Sequence, residues 1–124
     1  IAGSSPAADW VEQVEAAAAR PNVFMKVSAL IESAYFSQAQ PADGSDRPPP
    51  PTDPDRYRPW VDRVWQAFGQ RRLLFGSNWP VSLRAGSYAD VLEVIRPLVA
   101  ERGPEAERWF FAEAAQAAYR WRRE

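Results

Sequence analysis

The chain has 124 residues and a net charge of −1, with 15 basic and 16 acidic side chains. This length favours a single domain. The near balance of charge argues against nucleic acid or an anionic membrane as a partner recruited by bulk charge. No apolar run approaches the roughly 20 residues of a membrane helix, and the first residues lack the basic and apolar regions of a signal peptide. We therefore predict a cytoplasmic protein that binds neither nucleic acid nor membrane.

The sequence contains no cysteine and no histidine. These absences exclude disulfides, thiolate nucleophiles, imidazole bases and thiolate or imidazole metal ligands from this chain. Catalysis by the chain alone would depend on carboxylates, Lys, Arg, Tyr or backbone groups, and we predict no metal site or cofactor within it. Because the first residue is Ile1 rather than Met, we expect a processed terminus or a piece of a longer protein.

A helix followed by a strand is predicted for the first quarter of the chain. Ser5 is placed to cap the helix, Pro6 suits its first position and Pro21 ends it. An apolar stripe at helical spacing comprises Trp10, Val11, Val14, Ala17 and Ala18. Residues 22–29 are mostly apolar on both faces, which is typical of a strand in a parallel sheet covered by helices. Residues 30–36 are compatible with a helical turn or an irregular segment.

Residues 37–55 form a proline-rich segment without apolar periodicity. Four successive prolines at 48–51 favour the polyproline II conformation and exclude a helix or a central strand. Loops of this length are uncommon inside compact domains. We expect this loop to be mobile or weakly packed, either as a lid over a pocket or as a solvated surface excursion.

A helix and a short strand are predicted next. Apolar residues in 56–68 recur at spacings of three and four, with Pro59 tolerated in the first turn. Gly69 is placed to end this helix. Residues 72–76 form a short apolar strand that continues into a polar turn.

Helices are predicted for the rest of the chain. Ser87 and Asp90 match a capping box at the start of a helix that Pro97 should kink. The apolar stripe of this helix comprises Tyr88, Val91, Leu92, Ile95 and Val99. Gly103 and Pro104 separate it from the terminal helices, whose basic end suits the negative end of a helix dipole. The basic residues are Arg120, Arg122 and Arg123.

The resulting order α-β-α-β-α-α predicts a parallel strand–helix–strand unit. Two strands cannot cover this many helices, so the chain looks like a sector of a larger α/β barrel or wound sheet. In such folds, ligands bind at the carboxyl ends of the strands. Lys26 and Ser28 share one face of the first strand at this end. Lys26 is either a pocket residue or an ion-paired or snorkelling side chain, and Glu32 is interpreted as a loop carboxylate.

The second strand ends in Gly76-Ser77-Asn78-Trp79-Pro80. Asn78 can donate and accept hydrogen bonds but cannot act as a base. The alternative is an ordinary turn in which Asn78 bonds its own backbone. Trp79 is the tryptophan that lies off the helical stripes and near this candidate site.

Two segments carry a resemblance to a known family. Residues 71–81, Arg-Arg-Leu-Leu-Phe-Gly-Ser-Asn-Trp-Pro-Val, together with Ala67-Phe68-Gly69, resemble the last strand of the amidohydrolase-related (amidohydrolase 2) family. Residues 21–30 resemble the strand that precedes it. The resemblance implies a TIM-like (β/α)8 barrel in which 23–29 and 72–76 are strands seven and eight with their flanking helices. It also implies that residues 1–124 are the C-terminal portion of that barrel domain.

The resemblance implies a metal-dependent hydrolase similar to sugar-lactone lactonases, acting on a small-molecule substrate. The family usually has Asp at the position of Asn78. In this chain, Asn78 would orient water or substrate. Lys26, Ser28 and Ser77 would line the pocket, and Trp79 would form an apolar wall. A divalent metal such as zinc is implied for the full-length family, with histidine ligands on earlier strands.

Two alternatives belong to other classes. In the first alternative, the chain is a non-catalytic fragment or a half-barrel that works after pairing with a partner. That partner would be either the missing N-terminal half or a second copy. The other alternative is a free-standing α/β binding module.

Overall fold

The computed structural model describes residues 3–120, and its strands and helices follow the predicted order with two differences: a helix over residues 30–36 is added, and the last predicted helix is divided in two. The strands are β1 (Met25–Val27) and β2 (Leu73–Phe75). The helices are α1 (Ala8–Ala18), α2 (Leu30–Phe36), α3 (Arg58–Phe68), α4 (Tyr88–Ala100), α5 (Pro104–Arg108) and α6 (Ala114–Tyr119). Arg122 and Arg123 lie outside the described residues.

The two strands pair in parallel, as predicted, with Met25 opposite Leu73 and Val27 opposite Phe75. Each strand is shorter than predicted, because regular pairing covers three residues of each strand. The Gly76 amide still donates to the Val27 carbonyl at 3.0 Å. This bond extends the contact between the strands to the point where the chain leaves the sheet.

The helix boundaries differ from the predictions at two positions. The prediction that Ser5 caps α1 is wrong: the helix begins at Ala8, and its N-cap Ala7 makes no side-chain capping bond. Residues 30–36, left open by the sequence, form α2, preceded by Ala29 in a left-handed conformation with φ 58°. This single left-handed residue turns the chain from β1 directly into α2.

The predicted helix over 56–68 begins two residues later, because Pro54–Arg56 form a separate 3-10 turn. Asp53 caps this turn by accepting a hydrogen bond from the Asp55 amide at 3.0 Å. Pro59 lies in the first turn of α3 and Gly69 ends it with φ 69°, as predicted. Gly69 therefore supplies the positive φ that other residues rarely adopt.

The start of α4 confirms the predicted capping box, since Ser87 accepts from the Asp90 amide and Asp90 accepts from the Ser87 amide. The predicted stripe is only partly correct. Val91, Ile95 and Val99 are buried, but Tyr88 is 49% exposed. Val94 and Leu98 are buried instead. The buried face is therefore wider than a single stripe.

The core lies between the sheet, α1, α3 and α4, and is closed by the residues after α5. These residues, Trp109–Glu113, form one π-helical turn that leads into α6. Phe110 in this turn is fully buried, with its ring centroid 5.6 Å from that of Trp65 and 6.3 Å from that of Phe75. Phe110 thus joins the aromatic side chains of α3 and β2 in the core.

The proline-rich segment has contacts with the rest of the protein. Arg47 Cζ lies 5.8 Å from the centroid of the Tyr35 ring in α2, and Tyr57 Oη donates to the Pro51 carbonyl at 2.6 Å. Pro50 is buried. The segment therefore contacts α2 through Arg47 and is bonded to Tyr57 near its end, and its mobility elsewhere stays a prediction. Among residues 3–120, no helix is long and apolar enough to span a membrane.

Candidate functional site at the strand ends

Lys26 and Gly76 lie against each other across the sheet. A Cβ placed on Gly76 would be 2.8 Å from Lys26 Cγ and Cδ and 3.0 Å from Ser28 Cβ. Only glycine at position 76 lets these neighbours approach so closely. The prediction that β1 is buried on both faces is wrong, because Lys26 is exposed. Among the described residues Lys26 has no ion pair, and Nζ lies 5.7 Å from the centroid of the Tyr119 ring.

A groove of about 320 Å³ runs beside β1. Lys26 and Ser28 contribute to it from the strand, and Trp10 and Trp60 from α1 and α3. Ser77, Asn78 and Trp79 are not among its lining residues. The five predicted site residues therefore fall into two neighbouring groups rather than one pocket.

Ser77 and Trp79 lie in the turn that follows β2. The Trp79 amide donates to Ser77 Oγ at 3.3 Å, so this hydroxyl is engaged within the turn. The Trp79 side chain is 67% exposed. Within the described part of the chain it forms no wall of a pocket, and its predicted role depends on what lies beyond these residues.

Asn78 is fixed through both its backbone and its side chain. Its φ of 56° is left-handed, a conformation that Asn adopts more readily than most residues. Its carbonyl accepts from the Ser82 amide at 3.1 Å. Its side-chain Nδ2 donates to Glu32 Oε1 at 2.9 Å. The alternative in which Asn78 bonds its own backbone is therefore wrong.

Glu32 is the residue that sequence reasoning undervalued. It is not a loop carboxylate: it lies in the first turn of α2 and is only 3% exposed. Its Oε1 accepts from Asn78, whereas Oε2 has no hydrogen-bond partner within residues 3–120. The available signal was its position between Ile31 and Ala34, which are both buried.

Tyr57 is a second buried polar residue near Glu32. It is fully buried, and burial raises the pKa of its hydroxyl to about 12, with a smaller contribution in the same direction from the charge of Glu32. The nearby charge of Arg56 acts in the opposite direction. Glu32 is thus bonded to a half-buried amide, and its charge also acts on a buried phenol whose pKa is raised.

A metal centre is not assembled by these residues. Within residues 3–120 there is no group of three or more His, Cys, Asp or Glu side chains that could hold a metal ion. Glu32 and Asn78 offer oxygen atoms, whereas protein zinc sites are dominated by imidazole and thiolate ligands. The described donor set therefore does not by itself fit zinc.

Curated relatives match most of the chain. An L-fucono-1,5-lactonase of Burkholderia multivorans is 33% identical over 101 residues, which are 82% of this chain and 31% of that protein. An L-fucono-1,5-lactonase of Burkholderia ambifaria is 36% identical over 83 residues, covering 65% of this chain and 23% of that protein. The chain thus spans about a third or less of the length of these relatives.

Solved structures agree with the sequence matches. A crystal structure of an amidohydrolase from Burkholderia multivorans with bound zinc superposes with a TM-score of 0.75 at 27% identity, covering 93% of this chain and 38% of that one. A second crystal form with bound HEPES gives the same TM-score and identity. The sequence profile of a family described as amidohydrolase matches residues 3–121. The chain therefore belongs to the amidohydrolase family.

Proposed function

We propose that this chain is the C-terminal portion, residues 1–124, of a hydrolase barrel that opens a lactone or ester. The match to two L-fucono-1,5-lactonases carries the proposal, and the family match over residues 3–121 includes both strand ends. In the proposal, β1 and β2 are strands seven and eight of a (β/α)8 barrel. Their carboxyl ends, with Lys26, Ser28, Ser77, Asn78 and Trp79, then lie at the mouth where such barrels bind substrate.

The proposed reaction is water attack on the lactone carbonyl. The water oxygen bonds to the carbonyl carbon, the ring C–O bond breaks, and the ring oxygen leaves as a hydroxyl with a proton from the water. Asn78 orients the water or the substrate, since an amide can accept and donate but cannot remove a proton. Lys26 and Ser28 bind polar groups of a small-molecule substrate, and Trp79 supplies an apolar surface.

A divalent metal enters this proposal only through the rest of the barrel. The crystal structure of the related amidohydrolase contains bound zinc, but the described residues of this chain do not form a zinc site. The chemistry assigned to this chain therefore rests on its own polar groups. We expect the isolated chain to show neither lactonase activity nor tight binding of transition metals.

A chimera tests the proposed activity. The chain would replace the matching segment of the Burkholderia multivorans L-fucono-1,5-lactonase, and hydrolysis of L-fucono-1,5-lactone would be followed by acid release. We expect turnover above that of a chimera carrying Asn78→Ala. A chimera that is folded by circular dichroism but leaves the lactone intact overturns the proposed activity. If the chimera does not fold, co-expression of the chain with the remaining N-terminal portion of the relative provides the same readout.

A second proposal, a half-barrel that requires a partner, follows from the sheet. β1 and β2 pair with each other, so each leaves one edge unpaired within the described residues, and the groove of about 320 Å³ follows the edge of β1. Unpaired strand edges and uncovered apolar faces promote association. We expect the isolated chain to self-associate in light scattering and to become monodisperse when the complementary N-terminal portion is supplied. A monodisperse monomer with one sharp thermal transition would instead favour a free-standing module.

A further inference from the structure

The Asn78 side chain has one orientation that its surroundings permit. Nδ2 lies 2.9 Å from Glu32 Oε1. Rotating the amide by 180° would bring Oδ1 to that position and place two acceptor oxygens within hydrogen-bond distance without a hydrogen between them. A buried carboxylate therefore decides which end of the amide faces away from α2.

The position of the carboxylate is itself fixed. Glu32 is 3% exposed and lies on α2, which the left-handed Ala29 joins directly to β1. Asn78 follows β2 in a left-handed conformation and is tied to the next turn through Ser82. The pair thus joins the two strand ends by one hydrogen bond between residues 46 positions apart in the chain.

The other end of the amide is unengaged among residues 3–120. No hydrogen bond to Asn78 Oδ1 is formed there, and the residue is half-buried rather than enclosed. An amide held by its nitrogen presents its oxygen as an acceptor. The group that fits this acceptor carries a proton, as do water and the hydroxyls of a sugar lactone.

We propose that Glu32 is a positioning residue, which turns Asn78 so that Oδ1 accepts a hydrogen bond from the attacking water or from a substrate hydroxyl. The proposal rests on the proposed function for its role in turnover. The orientation itself can be measured without any substrate.

Side-chain amide exchange tests the orientation. The chain has two asparagines, Asn22 and Asn78, so selective labelling of asparagine with ¹⁵N gives two amide groups. Exposed Asn22 serves as the internal reference. We expect one Asn78 Nδ2 proton to exchange roughly 10-fold more slowly than those of Asn22, since a hydrogen bond to a charged group contributes more than a neutral one. Glu32→Gln should lower this protection, since a neutral amide oxygen accepts a weaker hydrogen bond and either orientation of Asn78 becomes possible. The matched Glu12→Gln change on the exposed face of α1 should leave it unchanged. Equal exchange of Asn22 and Asn78 in the unmodified chain overturns the orientation.

Kinetics of the chimera test the role. An amide at position 32 can both donate and accept, so it cannot impose one orientation on Asn78. Glu32→Gln should therefore lower kcat roughly 10-fold to 100-fold through misplacement of the reacting group. KM should change less than about 2-fold. An unchanged kcat with lost amide protection shows a purely structural pair and overturns the positioning role. An inactive chimera counts against the proposed function alone, because the exchange measurement still decides the orientation.

Exchanging the carboxylate and the amide between positions 32 and 78 tests most directly whether the two side chains are coupled. Asn78→Asp alone places two carboxylates together and should lower the melting temperature of the chain, because like charges that are shielded from water repel. Adding Glu32→Gln restores a donor opposite the carboxylate introduced at position 78 and should recover most of the loss. Failure of the double variant to recover stability means that the two side chains are not coupled, which overturns the proposal.

Discussion

The connections that leave the two strands occupy equivalent places in the fold and differ in the hydrogen bonding of their buried polar groups and in the apolar side chains that they expose. After β1, residues 28–57 bury polar side chains: Glu32 is 3% exposed and Tyr57 is fully buried. After β2, residues 76–87 expose apolar ones, with Trp79 67% and Leu83 59% exposed. The first connection finds hydrogen-bond partners within the chain, whereas the second leaves large apolar groups in contact with solvent.

This difference shows which side of the strand ends the chain completes by itself. Buried polar groups usually have hydrogen-bond partners. In the first connection Asn78 donates to Glu32 Oε1 and Tyr57 donates to the carbonyl of Pro51, whereas Glu32 Oε2 has no partner within residues 3–120. Two hydrogen bonds of buried side chains therefore hold this connection. Clustered exposed apolar residues mark interaction surfaces. We interpret the second connection as the side that meets the rest of the barrel or a substrate.

Replacing one aromatic residue in each connection should give the largest difference in the free energy of unfolding between the two connections. Tyr57→Ala removes a fully buried ring and should lower the free energy of unfolding by about 3–5 kcal/mol, as large-to-small changes in cores do. Trp79→Ala removes a larger but exposed ring and should change stability by less than about 0.5 kcal/mol. Urea denaturation followed by circular dichroism measures both, and similar losses would contradict the contrast between the connections.

A milder change isolates the hydrogen bond of Tyr57. Tyr57→Phe keeps the ring but removes the bond to the Pro51 carbonyl, which should cost about 1 kcal/mol at neutral pH. The pKa of Tyr57 is raised from 10.0 to about 12. The unfolded state therefore loses the Tyr57 proton at a lower pH than the folded state does. The contribution of the protonated hydroxyl to the free energy of unfolding is complete below pH 10 and disappears as the pH rises towards 12.

The pH dependence supplies the control for this variant. The free energy of unfolding of the unmodified chain should decrease as the pH rises from about 9 to about 12. Tyr57→Phe should remove part of this pH dependence. The exposed Tyr119→Phe variant should retain it. An identical alkaline slope in the Tyr57→Phe variant would mean that other groups account for the pH dependence.

The sequence could predict those features that depend on neighbours along the chain. The capping box of Ser87 and Asp90 and the break at Gly69 follow from local chemistry. The parallel strand pair joins distant residues, but it follows from the order strand–helix–strand. The family was also recognisable from 71–81 together with 21–30, as the match over residues 3–121 confirms.

The features that the sequence could not predict depend on contacts distant in the chain. Ser5 has the right chemistry for a cap, but α1 begins at Ala8. The apolar neighbours of Glu32 indicate a buried position, but the donor that accompanies its burial is Asn78, 46 residues away, and no local pattern identifies that partner. Lys26 is exposed because the described residues leave its side of the sheet open, although the flanking apolar residues suggested burial. Burial of polar residues is decided by the assembled fold.

The second connection can be weakened where it enters α4. Ser87→Ala removes the hydroxyl that accepts from the Asp90 amide and should cost about 1 kcal/mol. The same substitution at Ser5, an expected cap that forms none, should change stability by less than about 0.5 kcal/mol. Thermal melts of both variants test this pair, and a loss at Ser5 equal to that at Ser87 would indicate that α1 extends further than described.

The smallest expected effect, and one of opposite sign, lies at Ser82 in the same connection. Its side chain is fully buried, and its Oγ has no hydrogen-bond partner within residues 3–120. A buried hydroxyl without a partner loses its hydration without compensation. Ser82→Ala should therefore leave the free energy of unfolding unchanged or raise it by up to about 1 kcal/mol, whereas Ser87→Ala lowers it. The comparison uses one substitution at two serines in the same connection, so differences in helix propensity are the main correction.

Urea denaturation of the two variants in parallel gives the sign of the change in the free energy of unfolding. A loss at Ser82 as large as that at Ser87 would show that an internal water or a residue outside 3–120 satisfies the hydroxyl, and that this connection is as complete as the one after β1.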